Sequence, residues 1–389
     1  MKKIIITITL SFLCFAIFAA PLKENPEVKF VKGNIQDKIS SIKEDSIDYT
    51  YGIAVKAVDF VITNMELLKD DRDFAGLAIA AVYSYPEKEY LENSKETIDK
   101  FGSIFYSIKD ENVKLSVLDK LSIFSEKSQS DESVAFINTY LKGASEDTLA
   151  LTSVEKKAIQ ILAKIGDHKS FDILYFSYKN NVWPEYKSEI KNSLVALAEK
   201  STGTIFSIIK KADFEEMKLI YTVFVENSSI SSTLKSEIAE NLLSNSMILI
   251  RDSSKITKEL SLFQLNNCHV LYQNSWTRSS PLMISYFDVA KSEYKAGLLT
   301  SEEFEKVILY LEKTASKESV KVLSSYLEEL NKETENGSLP AVNIVSAVIQ
   351  ALGNLGDKSA FDCLLFTTYL NYPEDIVAQA RRALSSLKW

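Results

Sequence analysis

The chain has 389 residues, 46% of them hydrophobic and 25% charged, with a formal net charge of −8. That hydrophobic share can supply a core and excludes overall disorder, and the negative balance is wrong for a nucleic-acid binder, which needs a positive face to displace counterions. Eleven glycines and seven prolines are few for this length, which favours long helices with short connections over a turn-rich β architecture.

In chain order, Lys2 and Lys3 precede an uncharged run from Ile4 to Phe18 and then Ala19-Ala20. This is the layout of a secretory signal, with cleavage expected after Ala19. The run falls short of the roughly 20 apolar residues that a spanning helix needs, so no membrane span is expected after cleavage. Leu13 stands where a lipoprotein signal needs a small residue before Cys14, which disfavours lipid attachment. An exported protein of the periplasm or exterior is the resulting expectation. Residues 20–34, with Pro21 and Pro26 and little periodicity, read as a flexible arm. Helical spacing begins near Ile35 and strengthens at Ile53, Ala57, Phe60, Val61 and Met65, which share one face. Asp70, Asp71 and Asp73 supply capping acceptors for a helix over Phe74 to Val82.

Tyr85-Pro86-Glu87 is the first of three similar triplets, with Trp183-Pro184-Glu185 and Tyr372-Pro373-Glu374. Proline suits the first turn of a helix, where its missing N–H has no partner to lose, and glutamate beside it favours the positive end of the helix dipole. Each triplet therefore predicts a helix start with an aromatic packed behind it as a staple. Trp183 is the one of the three with an alternative role, stacking on a ligand.

The strongest signal is an internal repeat. Ile159 to Phe176 aligned with Ile349 to Phe366 gives nine identities in eighteen positions, where unrelated segments give about one. They are Ile159/Ile349, Gln160/Gln350, Leu162/Leu352, Gly166/Gly356, Asp167/Asp357, Phe171/Phe361, Asp172/Asp362, Leu174/Leu364 and Phe176/Phe366. Glu132 to Leu141 matches Glu318 to Leu327 in the same way. Extended through the flanking segments, the pattern predicts four units of about 95 residues over 35–389, the third degenerate near 204–286. In that third unit, Asn266 to Pro281 holds Cys268, His269, Trp276 and Arg278 in a Ser/Asn-rich, irregular setting. Such divergence reads either as a packing adjustment or as an acquired surface.

Within the best copy, Ala158, Ile161, Leu162 and Ile165 form an apolar stripe, Gly166 ends the helix and Asp167 caps the next. That next helix has Phe171, Leu174, Tyr175 and Tyr178 inward, and a third begins at Pro184 with Ile190, Leu194 and Leu197 inward. Helices with one narrow apolar face must stack on neighbours, which predicts an all-α chain of stacked antiparallel pairs, an α-solenoid.

The segment AIQILAKIGDHKSFDILYF, Ala158 to Phe176, ends one helix in Gly-Asp and opens the next on small and aromatic residues. It resembles the HEAT repeat family, in particular its short, PBS-lyase-type form. The resemblance covers most of the chain as pattern and is specific over 154–200 and 342–389. At the family's arginine and valine positions before the second helix, Val377 and Arg381 fit, while the other copy carries Lys187 and Lys191. The resemblance implies an armadillo-like stacked fold whose flank binds other proteins. It also implies an enzymatic alternative, a lyase handling tetrapyrroles, and a third reading is a structural spacer of the bacterial envelope with no ligand of its own.

No catalytic constellation accompanies the repeat. The two histidines, His168 and His269, have no Cys or His partner at metal-ligand spacing, and the His-Glu pairs of the di-iron branch of HEAT-like proteins are missing. No nucleophile elbow, phosphate-binding loop or dinucleotide fingerprint is present. Neighbouring acids such as Asp70-Asp71 and Glu215-Glu216 read as solvated or capping groups, and Cys268 and Cys363 as buried free thiols. The expectation is a non-catalytic exported scaffold with no cofactor and no metal, binding a protein or an envelope component. The side chains proposed to face that partner are Trp183, Lys187, Lys191, Gln379, Arg381 and Arg382.

Overall fold

Helix-favouring composition and short connections lead to 21 α-helices among the described residues, with no strand there. The computed structural model describes residues 25–47, 52–68, 71–127, 132–146, 152–252, 257–313 and 316–388. The signal segment and Asp70 lie outside them.

Two compact units divide the chain, Met1–Ile137 with Thr152–Lys157 and Asn138–Leu151 with Ala158–Trp389. The first holds α1 (Pro26–Lys32), α2 (Ile35–Ile47), α3 (Gly52–Leu68), α4 (Arg72–Ser84), α5 (Glu87–Glu92), α6 (Ser94–Ser107) and α7 (Glu111–Lys127). The division falls inside α8 (Glu132–Glu146) and α9 (Ser153–Ile165). The second unit continues with α10 (His168–Lys179), α11 (Lys187–Leu197), α12 (Thr202–Ile209), α13 (Phe214–Ile220), α14 (Ser232–Asp252) and α15 (Lys258–Gln273). It ends with α16 (Ser280–Lys295), α17 (Ser301–Glu312), α18 (Lys317–Glu335), α19 (Val342–Leu355), α20 (Phe361–Thr367) and α21 (Glu374–Ser386).

In the first unit the stretch read as a flexible arm is partly helical. Asn25 accepts from the Glu27 amide at 2.9 Å, Pro26 occupies the first turn of α1, and Phe30 is buried edge-on to Phe60 with ring centres 6.2 Å apart. Lys38 lies over both rings, at 4.9 and 4.8 Å. The buried ring, with ion pairs from Lys29 to Glu44 at 3.3 Å and from Lys56 to Glu27 at 2.9 Å, docks a seven-residue helix that could not form alone. Farther on, Asp71 caps α4 by accepting from Phe74 N at 3.0 Å. The buried faces of α3 and α4 are Ile53, Ala54, Ala57, Val58 and Val61, and Phe74, Leu77, Ala78, Ala81 and Val82.

In the second unit, helices pack both on their neighbours and on the helix after next. α15 meets α17, α17 meets α19 and α19 meets α21, while α14 meets α16, α16 meets α18 and α18 meets α20. One continuous core joins Ala239 to Leu387 along these contacts. It closes where the Lys388 amide donates to Gly356 O at 2.7 Å, tying the chain end to the turn between α19 and α20.

The two sequence copies correspond helix by helix, with α8 to α11 in one and α18 to α21 in the other. Ile159, Leu162 and Leu174 are fully buried, as are Ile349, Leu352 and Leu364. Each such aliphatic side chain removed from water contributes about 1.5–3 kcal/mol. All three predicted stripes face inward, down to Tyr178, Ile190, Leu194 and Leu197, with Ile165 half-buried.

The conserved Gly-Asp does its work by two routes. Gly356 adopts φ +66°, the left-handed region in which a side chain is strained. Gly166 does not, but a Cβ there would lie 2.3 Å from Leu162 O and 2.9 Å from the Ser170 Cβ. The aspartates act alike: Asp167 accepts from Ser170 N at 2.9 Å, with the Ser170 hydroxyl accepting from Asp167 N in return, and Asp357 accepts from Ser359 N at 2.9 Å.

Candidate functional site

The surface expected to bind a partner was placed on the helices that follow the aromatic-Pro-Glu triplets. Those triplets do start helical turns. Pro184 opens a short 3₁₀ turn leading into α11, while Pro86 and Pro373 sit one position earlier, as the N-caps of α5 and α21. Tyr85, Trp183 and Tyr372 are all buried.

Burial decides the role of Trp183. At 3% exposure its ring packs inside the second unit and presents no face to a ligand, which takes it out of the candidate surface. Gln379 is also engaged within the fold. Its Nε2 donates to Ser346 O at 3.1 Å and its Oε1 accepts from the Ser346 hydroxyl at 2.8 Å, binding α21 to α19. A side chain with both ends paired in this way is a packing element, and it leaves the candidate surface too.

Four cations are left. Lys187 is exposed, with its ammonium 5.3 Å from the Tyr178 ring centre, and Lys191 is half-exposed on the same helix. Arg381 and Arg382 are exposed on α21, and neither side chain forms an ion pair or hydrogen bond among the described residues. Arg278 shows the contrast. Its guanidinium lies 4.7 Å over the Trp276 ring and donates to Glu240 at 2.8 Å, and the Trp276 indole donates to the same carboxylate at 2.9 Å. Within the stretch expected to be irregular, helix α15 runs on to Gln273. This Trp-Arg-Glu clasp makes the divergence there a packing adjustment joining the start of α16 to α14.

Two hollows lie in the second unit. One, lined by Leu271, Tyr272, Trp276, Ser279, Met283, Tyr310 and Lys313, encloses ≈ 10 Å³, the space of one water. Beside it His269 Nδ1 is 2.8 Å from the Tyr310 hydroxyl. The other is an open depression of ≈ 330 Å³ between α10 and α12, lined by Asp172, Gly203, Thr204, Ser207, Ile208 and Lys211.

A buried polar cluster between α15 and α16 was not foreseen. Gln264, Asn267 and Cys268 on α15 and Tyr286 and Glu293 on α16 are at most 1% exposed. Both polar atoms of Gln264, the Asn267 Oδ1, the Tyr286 hydroxyl and both Glu293 oxygens have no hydrogen-bond partner in the protein. Burial pushes the Glu293 carboxyl up to about 7, eased only by the nearby Ser261 hydroxyl. It also drives the Cys268 thiol and the Tyr286 phenol far above their ordinary values, with the Glu293 charge adding to both. No lysine or arginine acts on the carboxyl. The sequence did hold a clue, because Met283, Tyr286, Ala290 and Glu293 are spaced as one helical stripe, so a carboxyl was being placed on an apolar face.

Such a sealed carboxyl can hold a proton but meets no substrate. Among the described residues no group of three or more His, Cys, Asp or Glu side chains converges as a metal site. Cys268 and Cys363 are buried free thiols, and among the described residues no helix is long and apolar enough to cross a membrane. No known family profile matches the chain, and no curated protein aligns with it significantly.

Proposed function

We propose that the chain is a non-catalytic, exported scaffold, a HEAT-like α-solenoid of stacked helix pairs that holds a partner protein of the bacterial envelope on its outward side chains. The observation that carries this reading is the helix-for-helix correspondence of α8–α11 with α18–α21, together with packing of the helices from α14 to α21 on the one after next. Stacked repeats with one inward stripe leave a long row of outward positions, and a rigid row lowers the ordering cost of binding. Lys187, Lys191, Arg381 and Arg382 are outward cations without an acidic partner among the described residues, which fits an acidic patch on the bound protein.

The test is capture from an envelope extract with the native chain and with Arg381→Glu/Arg382→Glu, combined with photo-crosslinking from position 382. The proposal expects a defined protein that crosslinks from 382 and is lost on charge reversal. The same proteins captured by both forms, with no crosslink from 382, would overturn the assignment. Export is tested separately by the mass of the mature chain, which should begin after Ala19.

A further inference from the structure

Two copies of one sequence keep interior residues for packing and turn residues for geometry, so identities on the surface need a different cause. Over Ile159–Phe176 and Ile349–Phe366, six equivalent positions are exposed in both copies. Three of the six have changed chemistry, Lys164/Asn354, His168/Lys358 and Lys169/Ser359. The other three are identical, Gln160/Gln350, Asp172/Asp362 and Phe176/Phe366. The surface has thus kept as large a share of its residues as the whole segment has, with no packing to enforce it. A phenylalanine is costly to leave in water, yet Phe176 is 52% and Phe366 40% exposed.

On each helix the aspartate and the phenylalanine are four residues apart, which puts them side by side on one face. Neither Asp172 nor Asp362 forms an ion pair or a hydrogen bond among the described residues. Some other acids of this unit are neutralised, Glu216 by Lys179 at 2.7 Å and Glu329 by Lys291 at 3.1 Å. Beside Phe366 the face is widened by Tyr369, 76% exposed; the equivalent place in the first copy is Lys179, held by Glu216.

We infer that the Asp172/Phe176 face of α10 and the Asp362/Phe366 face of α20 are two equivalent docking points for a basic partner segment, one carrying lysine or arginine next to an apolar residue. The carboxylate meets the cation, and the ring takes the apolar neighbour or lies under the cation itself. The complementarity is one of charge: an unneutralised acid on a chain of net charge −8 repels an acidic segment, even with Lys211 among the residues lining the depression that holds Asp172. Either point alone is a weak contact, and two on one chain act together by effective concentration. This deepens the scaffold reading and rests on it.

An array of immobilised 12-residue peptides, varied systematically in charge and apolar content, tests the inference with the purified chain and two variants, Asp172→Asn/Asp362→Asn and Phe176→Ala/Phe366→Ala. Circular dichroism first confirms that both variants keep the native helix content. The expected result is enrichment of peptides with Lys or Arg beside an apolar residue, reduced at least tenfold by the first variant and several-fold by the second. Enrichment of acidic peptides, no enrichment, or basic enrichment unchanged in both variants would overturn it. Enrichment lost only in a third variant run on the same array, Arg381→Glu/Arg382→Glu, would keep the scaffold reading and remove this inference.

Discussion

The pair of matched helical blocks and the stretch between them, α15 and α16, solved the same packing problem in different ways. In α9–α10 and α19–α20 the burial sequence is the same at every position from Ile161 to Ser170 and from Ala351 to Ala360, and the turn aspartates find their donors. In α15–α16 the equivalent interior took in polar atoms without partners in the protein, the side chain of Gln264, the Asn267 Oδ1, the Tyr286 hydroxyl and the Glu293 carboxyl oxygens. The difference teaches that a repeat keeps its local rules where both faces of each helix are already assigned. Where the stripe is broken by a carboxyl, the fold persists because neighbouring contacts exceed the local penalty, and the penalty depends on pH.

The largest effects should separate the two copies. Phe171 is fully buried and stacks on Phe224 at 5.9 Å, whereas Phe361 is only half-buried. Phe171→Ala should therefore cost about 3–5 kcal/mol and Phe361→Ala clearly less, as measured by urea denaturation. Equal losses would mean that the copies are packed more alike than the burial of these rings indicates.

Glu293 gives the next effect and sharpens the contrast with α15–α16. Its folded value near 7 lies above the ordinary 4.5, so below pH 4.5 it is protonated in both states and costs nothing. As pH rises from 4.5 towards 7 the unfolded chain ionises while the folded carboxyl does not, and stability of order 3 kcal/mol is lost by the time the folded group ionises near 7. The groups facing it, Cys268, Tyr286 and Ser261, supply no compensating charge. Glu293→Gln should flatten that part of the profile between pH 5 and 8, read as the difference in Tm between variant and native chain at each pH. An unchanged difference would show that the carboxyl is solvated or paired.

Smaller losses test the turns. Gly356→Ala should cost about 1 kcal/mol for its left-handed backbone, and Gly166→Ala more, because the added methyl meets the Leu162 carbonyl and Ser170. Reversed ranking would contradict the two-route account of this turn. Asp167→Ala and Asp357→Ala should each lose about 1 kcal/mol of capping, checked by the same denaturation. Least of all, Asp172→Asn and Phe176→Ala should stay within about 0.5 kcal/mol, as expected of exposed positions that serve binding.

These rankings also mark what the sequence could tell. The repeat, the Gly-Asp turns, the stapled aromatics before Pro86, Pro184 and Pro373 and the inward stripes were legible because each rests on a local rule of spacing or capping. Helix α1 was not, since its anchors are contacts with other helices, Phe30 on Phe60, Lys29 on Glu44 and Glu27 on Lys56. Nor was the π-turn over Tyr221–Val225, where Glu226 N reaches back to Tyr221 O at 3.1 Å and no residue type announces the extra residue. Gln379 read as a surface amide because its partner, Ser346, is 33 residues away. The Asp172/Phe176 face was legible only in part: the repeat carries the identity, and the exposure of both residues in the fold is what separates it from packing.

The central claim is that the two blocks are one structure used twice, and residue-resolved amide hydrogen exchange across 153–179 and 342–367 tests it most directly. The account predicts slow exchange at equivalent interior positions of both blocks, interrupted at Gly166-Asp167 and at Gly356-Asp357. Protection confined to one block, or continuous through either turn, would contradict it.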